Sequence, residues 1–182
     1  MNPVQACDVP EGSLIARRLT GAHFQDAWSV EPADPGLCAL GQFLKAAQAT
    51  PAWVNHLMSV RNRVVAQLGL KDLGHLRGFN PDKPLGEYQP GDRVGVFALL
   101  ENQVDEVVLG DTDQHLDVAL SVHRGRDPKS GRVVLTVSTV VHIHNMLGRL
   151  YMLPVAPVHK LIVPSVMRAL GSMPPTFLKG IE

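Results

Sequence analysis

Between Asp92 and Asn145 the chain carries strand patterns one after another with no helix between them: "DRVGVFALLEN", "DEVVLGD", "HLDVALSVHRG" and "RVVLTVSTVVHIHN". Valine, isoleucine and threonine dominate these runs, and only short turns separate them; "RGRDPKSGR" reads as a hairpin loop. A parallel return needs a crossover of a dozen residues or more, so strands this closely connected must pair antiparallel. An apolar segment, Met146 to Leu170, follows at once and has helical rather than alternating character. Sheet and helix must therefore cover one another. With one alternating strand near the N-terminus, "AHFQDAWSV", and two helical stretches after it, the order is strand, two helices, antiparallel strands, long C-terminal helix. That is an α+β domain. Its economical form is helix-grip-like: an antiparallel sheet wrapped around the last helix, with a cavity opening between them.

The remaining organisation follows from local signals. The 182 residues, 45% of them apolar, suit a single domain over 1–182. Residues 1–18 read as an irregular arm, and "SLIARRL" is its one expected short strand. Along "AHFQDAWSV", Phe24, Asp26, Trp28 and Val30 face one way, so a single charge stands among aromatics. The first helix is expected over Leu37–Ala49. The second starts at Thr50-Pro51 and stops at Gly69, with Trp53, Leu57, Val60, Val64 and Leu68 on a broad apolar side that needs a partner. Residues 71–91, with four Gly and three Pro, form a loop whose length is expected to make it either mobile or functional. Kinks are expected in the last helix near Pro154, Pro157 and Pro164.

Charge and cysteine content exclude several function classes. Seventeen basic residues balance seventeen acidic ones and no basic block stands out, which argues against nucleic acid as a partner. Cys7 and Cys38 form no CxxC pair and no disulfide framework, which fits a reducing, cytoplasmic setting. No closed metal site is expected, so metal should not be needed for folding, and no cofactor is implied. The N-terminus has neither the basic nor the apolar region of a signal peptide. Arg149, His159, Lys160, Arg168 and three prolines interrupt the last apolar segment, so no transmembrane segment is expected. It reads as a buried or docking helix, with contact at a membrane surface as the alternative.

Two polar constellations are candidates for function. On one strand His115 and Asp117 share a face; on the next His142 and His144 do. Pairing about the "RDPKSG" loop brings their ends together. A cluster of imidazoles and a carboxylate suits acid–base work or a metal such as zinc or ferrous iron. The bland alternative is a solvated outer face of the sheet. The second constellation is "HNMLGRLY". Asn145 is a natural N-cap, Gly148 permits close approach of helix and sheet, and Arg149 and Tyr151 lie in the first turns. Asn145, Arg149 and Tyr151, with His144 beside them, are expected to line the polar end of a cavity. The alternative is capping plus an ion pair from Arg149 to Asp26 or Glu101. Arg61, near the edge of the second helix's apolar side, could reach an interior carboxylate or a ligand.

At "TPAWVNHLMSVRNRVV", "GDTDQHLDVALSV" and "VHIHNMLGRLYMLPVAPVHKLIV" the chain resembles a bacterial family, the domain-of-unknown-function family 2867, over roughly Leu19–Leu170. The Arg61-Asn62 pair, His115-Leu116-Asp117 and the stretch from His144-Asn145 to His159 carry the likeness most specifically. The resemblance implies a START-like, helix-grip fold and no particular reaction. Related domains occur behind short-chain dehydrogenase-like domains, whose Gly-rich fingerprint this chain lacks. Three readings follow: a module binding a small apolar or amphipathic molecule, an enzyme using a His/Asp cluster on a small carbonyl or cyclic substrate, and a non-catalytic partner of a dehydrogenase-like protein. A homodimer is compatible with each.

Overall fold

The computed structural model describes residues 3–67, 78–80 and 83–172. Its centre is a seven-stranded sheet in the order β1-β2-β7-β6-β5-β4-β3. The strands are β1 (Gln5–Ala6), β2 (Phe24–Val30), β3 (Arg93–Val94), β4 (Phe97–Asn102), β5 (Glu106–Thr112), β6 (Leu116–Arg126) and β7 (Val133–Ile143). Every neighbouring pair is antiparallel. The described residues also form three α-helices: α1 (Ala39–Gln48), α2 (Ala52–Gln67) and α3 (Met146–Ser172). This is the α+β, helix-grip-like arrangement that the run of strand patterns demands.

Side-chain alternation divides the sheet into two faces. Val30, Leu99, Val107, Leu109, Val122, Leu135 and Val137 form one core with Leu40, Phe43 and Leu44 of α1 and Val163, Met167 and Leu170 of α3. The opposite face is covered by the N-terminal arm, where Ile15 packs on Ala119 and Val140. Gly110 in β5 marks the tightest point of the sheet: a Cβ there would lie 2.7 Å from Leu100 Cδ1 and 2.8 Å from the Val118 carbonyl.

Several local expectations are corrected. "SLIARRL" is not a strand; Ile15–Arg18 is a 3-10 turn. The cause is Glu106, whose carboxylate accepts the Leu14 and Ile15 amides at 2.6 and 3.2 Å and holds the arm end-on to the sheet. The arm's strand is β1 instead, at the sheet edge beside β2. "DRVGVFALLEN" divides into β3 and β4, because Gly95 takes φ +64°, a turn conformation that interrupts a strand. In α2 Val54 is buried, but Trp53 and Val60 are 43% and 41% exposed, so much of the apolar side meant for burial faces outward. The positions over the sheet belong to α1 and α3. Helix α3 continues through Pro154, Pro157 and Pro164 without ending. Of the Pro/Gly-rich loop, residues 71–77, 81 and 82 lie outside the described residues, as does Leu68; Leu85–Glu87 makes a 3-10 turn.

Candidate functional site

A buried polar cluster lies where α3 crosses β2 and β7. Asp26, the charge among the aromatics of β2, stands opposite Thr139 of β7. Both face the helix side of the sheet. His159 of α3 comes down onto this pair because it follows Met152 by seven residues and precedes Val163 by four, and both of those are buried against the sheet layer. Its Nδ1 lies 3.1 Å from Asp26 Oδ2, and its Nε2 lies 3.4 Å from Thr139 Oγ1. Trp28 Nε1 donates to the same Asp26 oxygen at 3.3 Å. The Phe24 ring meets the imidazole edge-on, with centroids 5.7 Å apart.

This arrangement leaves one atom unaccounted for. The Asp26 side chain is 9% exposed, and its Oδ1 is buried with no hydrogen-bond partner among the described residues. A carboxylate accepts up to about four hydrogen bonds, and an unmet buried acceptor costs roughly 1–3 kcal/mol. Such an oxygen, against aromatic walls and beside an imidazole, suits a ligand's hydroxyl or amine. With the proton on Nδ1 and directed at Asp26, His159 presents a lone pair at Nε2 towards Thr139, the geometry of an oriented general base.

Nearer the helix start, Tyr151 forms a second polar contact. Its hydroxyl accepts from Arg61 Nε at 3.0 Å, and the guanidinium carbon lies 5.6 Å from its ring centroid. Arg61 Nη1 donates to Asn62 Oδ1. Arg61 and Tyr151 are thus brought together, and the hydroxyl partner is Arg61 rather than His144.

The other sequence candidates gather at the entry to α3, on the face that carries the arm. His144 Nε2 lies 3.2 Å from Asp117 Oδ2, with both side chains substantially exposed. His115 Nδ1 meets the Asn145 side chain, and His142 Nε2 donates to the Arg18 carbonyl at 2.8 Å. Asn145 caps α3: its Oδ1 accepts the Gly148 amide at 3.0 Å. A Cβ on Gly148 would lie 2.5 Å from the His115 carbonyl, so only glycine lets the helix start there. Arg149 is exposed; the carboxylates once considered for it pair elsewhere, Asp26 with His159 and Glu101 with Arg17 and Arg18. Asp117 Oδ1 is also buried with no partner among the described residues, but it belongs to a side chain that is 42% exposed overall and whose Oδ2 lies against His144. Among the described residues no group of three or more His, Cys, Asp or Glu is placed to hold a metal ion. A notch lined by Asp105, Arg124, Gly125, Arg126 and Val133 lies at the far end of β6, yet Arg124 is engaged there by Asp105 and the Pro35 carbonyl.

With this geometry in place, the comparisons with known proteins add one finding. The family described as "Protein of unknown function (DUF2867)" matches residues 18–166. The chain belongs to the DUF2867 family. Asp26, Thr139 and His159 all lie within the matched region, as does Glu106. No curated protein and no solved structure matches the chain.

Asp26 and His159 are not among the site residues expected from the sequence, which offers Asp26 only as an ion-pair partner. Both had a signal: a lone acid in an aromatic strand face, and a histidine at the buried phase of an apolar helix. Neither pattern reveals that the two meet, since 133 residues separate them.

Proposed function

We propose that this DUF2867 domain binds a small, largely apolar molecule at the seam between α3 and the sheet, with the molecule's polar end on Asp26 and His159. One observation carries the reading: the buried, unpartnered Asp26 Oδ1. A hydroxyl or amine would supply the donor this oxygen needs, and Phe24 and Trp28 would contact an apolar body. The helix-gripping sheet, and the START-like fold that the family resemblance implies, support the same reading. Trp28 provides the test, because it is one of only two tryptophans and donates directly to Asp26. In a Trp53→Phe background its fluorescence should change saturably on titration with long-chain primary alcohols or amines. The Asp26→Asn variant should lose at least tenfold in affinity. A Trp28 signal that ignores every member of the series refutes binding at this seam.

A second reading is acid–base catalysis at the same place, favoured by the chain Thr139–His159–Asp26. Here Asp26 would hold the imidazole and Nε2 would take a proton from bound substrate. The two readings separate at His159→Gln. Pure binding survives this change with a modest loss, whereas turnover of a bound molecule would fall by about 10²-fold or more.

A further inference from the structure

Helix α3 is long and apolar enough to cross a membrane, yet only 22% of its most apolar stretch is buried within the fold. Its outward side carries Met146, Leu150, Leu153 and Leu161, which are 74%, 64%, 71% and 64% exposed. Steps of four, three and eight residues keep these four on one side of a helix. Pro157, also exposed, falls on the same line. Large side chains this open, in one row, are unusual on a protein surface that meets only water.

The charges around the row have a single sign. The chain as a whole has seventeen acidic residues, but α2 and α3 contain none. Their charged residues are Arg61, Arg63, Arg149, Lys160 and Arg168. Arg149, Lys160 and Arg168 are exposed, and the first two flank the apolar row along one edge. Helix α2, which touches α3 through the Arg61–Tyr151 contact, has exposed Trp53 and Val60 of its own, seven residues apart on one side.

We propose that the outward side of α3 docks on an anionic lipid bilayer, with Met146, Leu150, Leu153 and Leu161 in the interface and Arg149 and Lys160 at the headgroups. An apolar row on a helix that carries exposed cations and no acid matches the chemistry of such a surface. The helix lies on the membrane rather than across it. Its other side is committed to the protein, with Met152, Val163, Met167 and Leu170 buried and His159 bonded to Asp26. A second copy of the chain fits less well. A two-fold interface sets the same patch against itself, so the cations of α3 would face one another with no acid on the helix to offset them. The inference stands independently of the ligand site.

The test is co-sedimentation of the full chain with vesicles of equal parts phosphatidylglycerol and phosphatidylcholine, beside vesicles of phosphatidylcholine alone. Binding should be at least tenfold tighter to the anionic vesicles and should weaken with salt. The double change Leu150→Glu and Leu153→Glu should abolish it. Arg149→Gln with Lys160→Gln should weaken it about fivefold per charge removed. Val104→Glu, a change at an exposed apolar residue off the helix, should leave it unaltered. If the leucine variants fail to fold, the charge pair decides, since both side chains are exposed. Absence of binding to anionic vesicles overturns the proposal, and so does binding indifferent to the charge pair. A chain that runs as a dimer, and becomes monomeric on Leu150→Glu with Leu153→Glu without ever pelleting with lipid, also overturns it and assigns the row to a second copy.

Discussion

Two carboxylates are buried on opposite faces of the same sheet, and their surroundings differ in one respect. Glu106, 4% exposed on the arm's face, accepts from the Leu14 amide, the Ile15 amide and the Ser121 hydroxyl at 2.6, 3.2 and 2.6 Å. Asp26, on the helix face, has Trp28 and His159 on one oxygen and, among the described residues, nothing on the other. Both carboxylates are largely desolvated. The chain itself satisfies Glu106, and the product is structure: the 3-10 turn, the seating of Ile15 and the closed outer face. Among the described residues it leaves Asp26 Oδ1 open. A buried charge with its partners supplied is part of the scaffold, and one left short has affinity for whatever brings a donor.

The largest expected effect belongs to the satisfied carboxylate. Glu106→Ala strands two amides and a hydroxyl beneath the arm and should cost about 3–5 kcal/mol in denaturant unfolding. Hydrogen exchange should then show the arm through Leu19 opening. Gly148→Ala comes next. The added methyl meets the His115 carbonyl and Ile143 Cγ2, at 2.5 and 2.9 Å, so the first turn of α3 must lift. A loss of about 1–3 kcal/mol is expected. Asp26→Asn should do little to stability, within about 1 kcal/mol in either direction, because the amide can still accept from one side and no longer buries a charge. A destabilisation as large as that of Glu106→Ala would erase the distinction between the two carboxylates.

The smallest effects concern exposed acids satisfied by their own turns. The Ser130 amide and hydroxyl hold Asp127 below its usual carboxylate range, and the Lys83 ammonium does the same for Asp92. A lowered folded-state pKa means stabilisation present above the unfolded value of 3.8 and lost as pH falls through the folded one. The melting temperature should therefore decline slightly below that pH, and less steeply in Asp127→Asn. Both groups are partly exposed and screened by water, so a steep, cooperative acid transition that disappears in Asp127→Asn would contradict this.

What the sequence made legible is the part of the structure set by local rules. Short turns dictated antiparallel pairing, the "RDPKSG" loop placed His115 beside His144, whose amide bonds the His115 carbonyl at 2.8 Å, and Asn145 followed by an apolar run marked the start of α3. Alternation along β2 put Asp26 on the same face as Phe24 and Trp28. Contacts across long separations were not legible. Glu106 reaches Leu14 over 92 positions and turns an apparent strand into a 3-10 turn. His159 reaches Asp26 only because α3 lies across β2 at one particular angle, and periodicity says which side of a helix is buried but not which strand it meets. The exposure of Trp53 and Val60 escaped for the same reason, since an apolar side looks alike whether protein or something else covers it.

The most direct measurement is native mass spectrometry of the wild-type chain and the Asp26→Asn variant, expressed in the same cells and purified identically without detergent. If Asp26 Oδ1 receives a ligand's donor, the wild type carries a small-molecule adduct, retained on purification or formed on adding long-chain alcohols or amines, and the variant shows it at least tenfold less. Equal adduct occupancy in the two proteins, or a wild type that stays bare under both conditions, would contradict the assignment of the α3–sheet seam as a binding site.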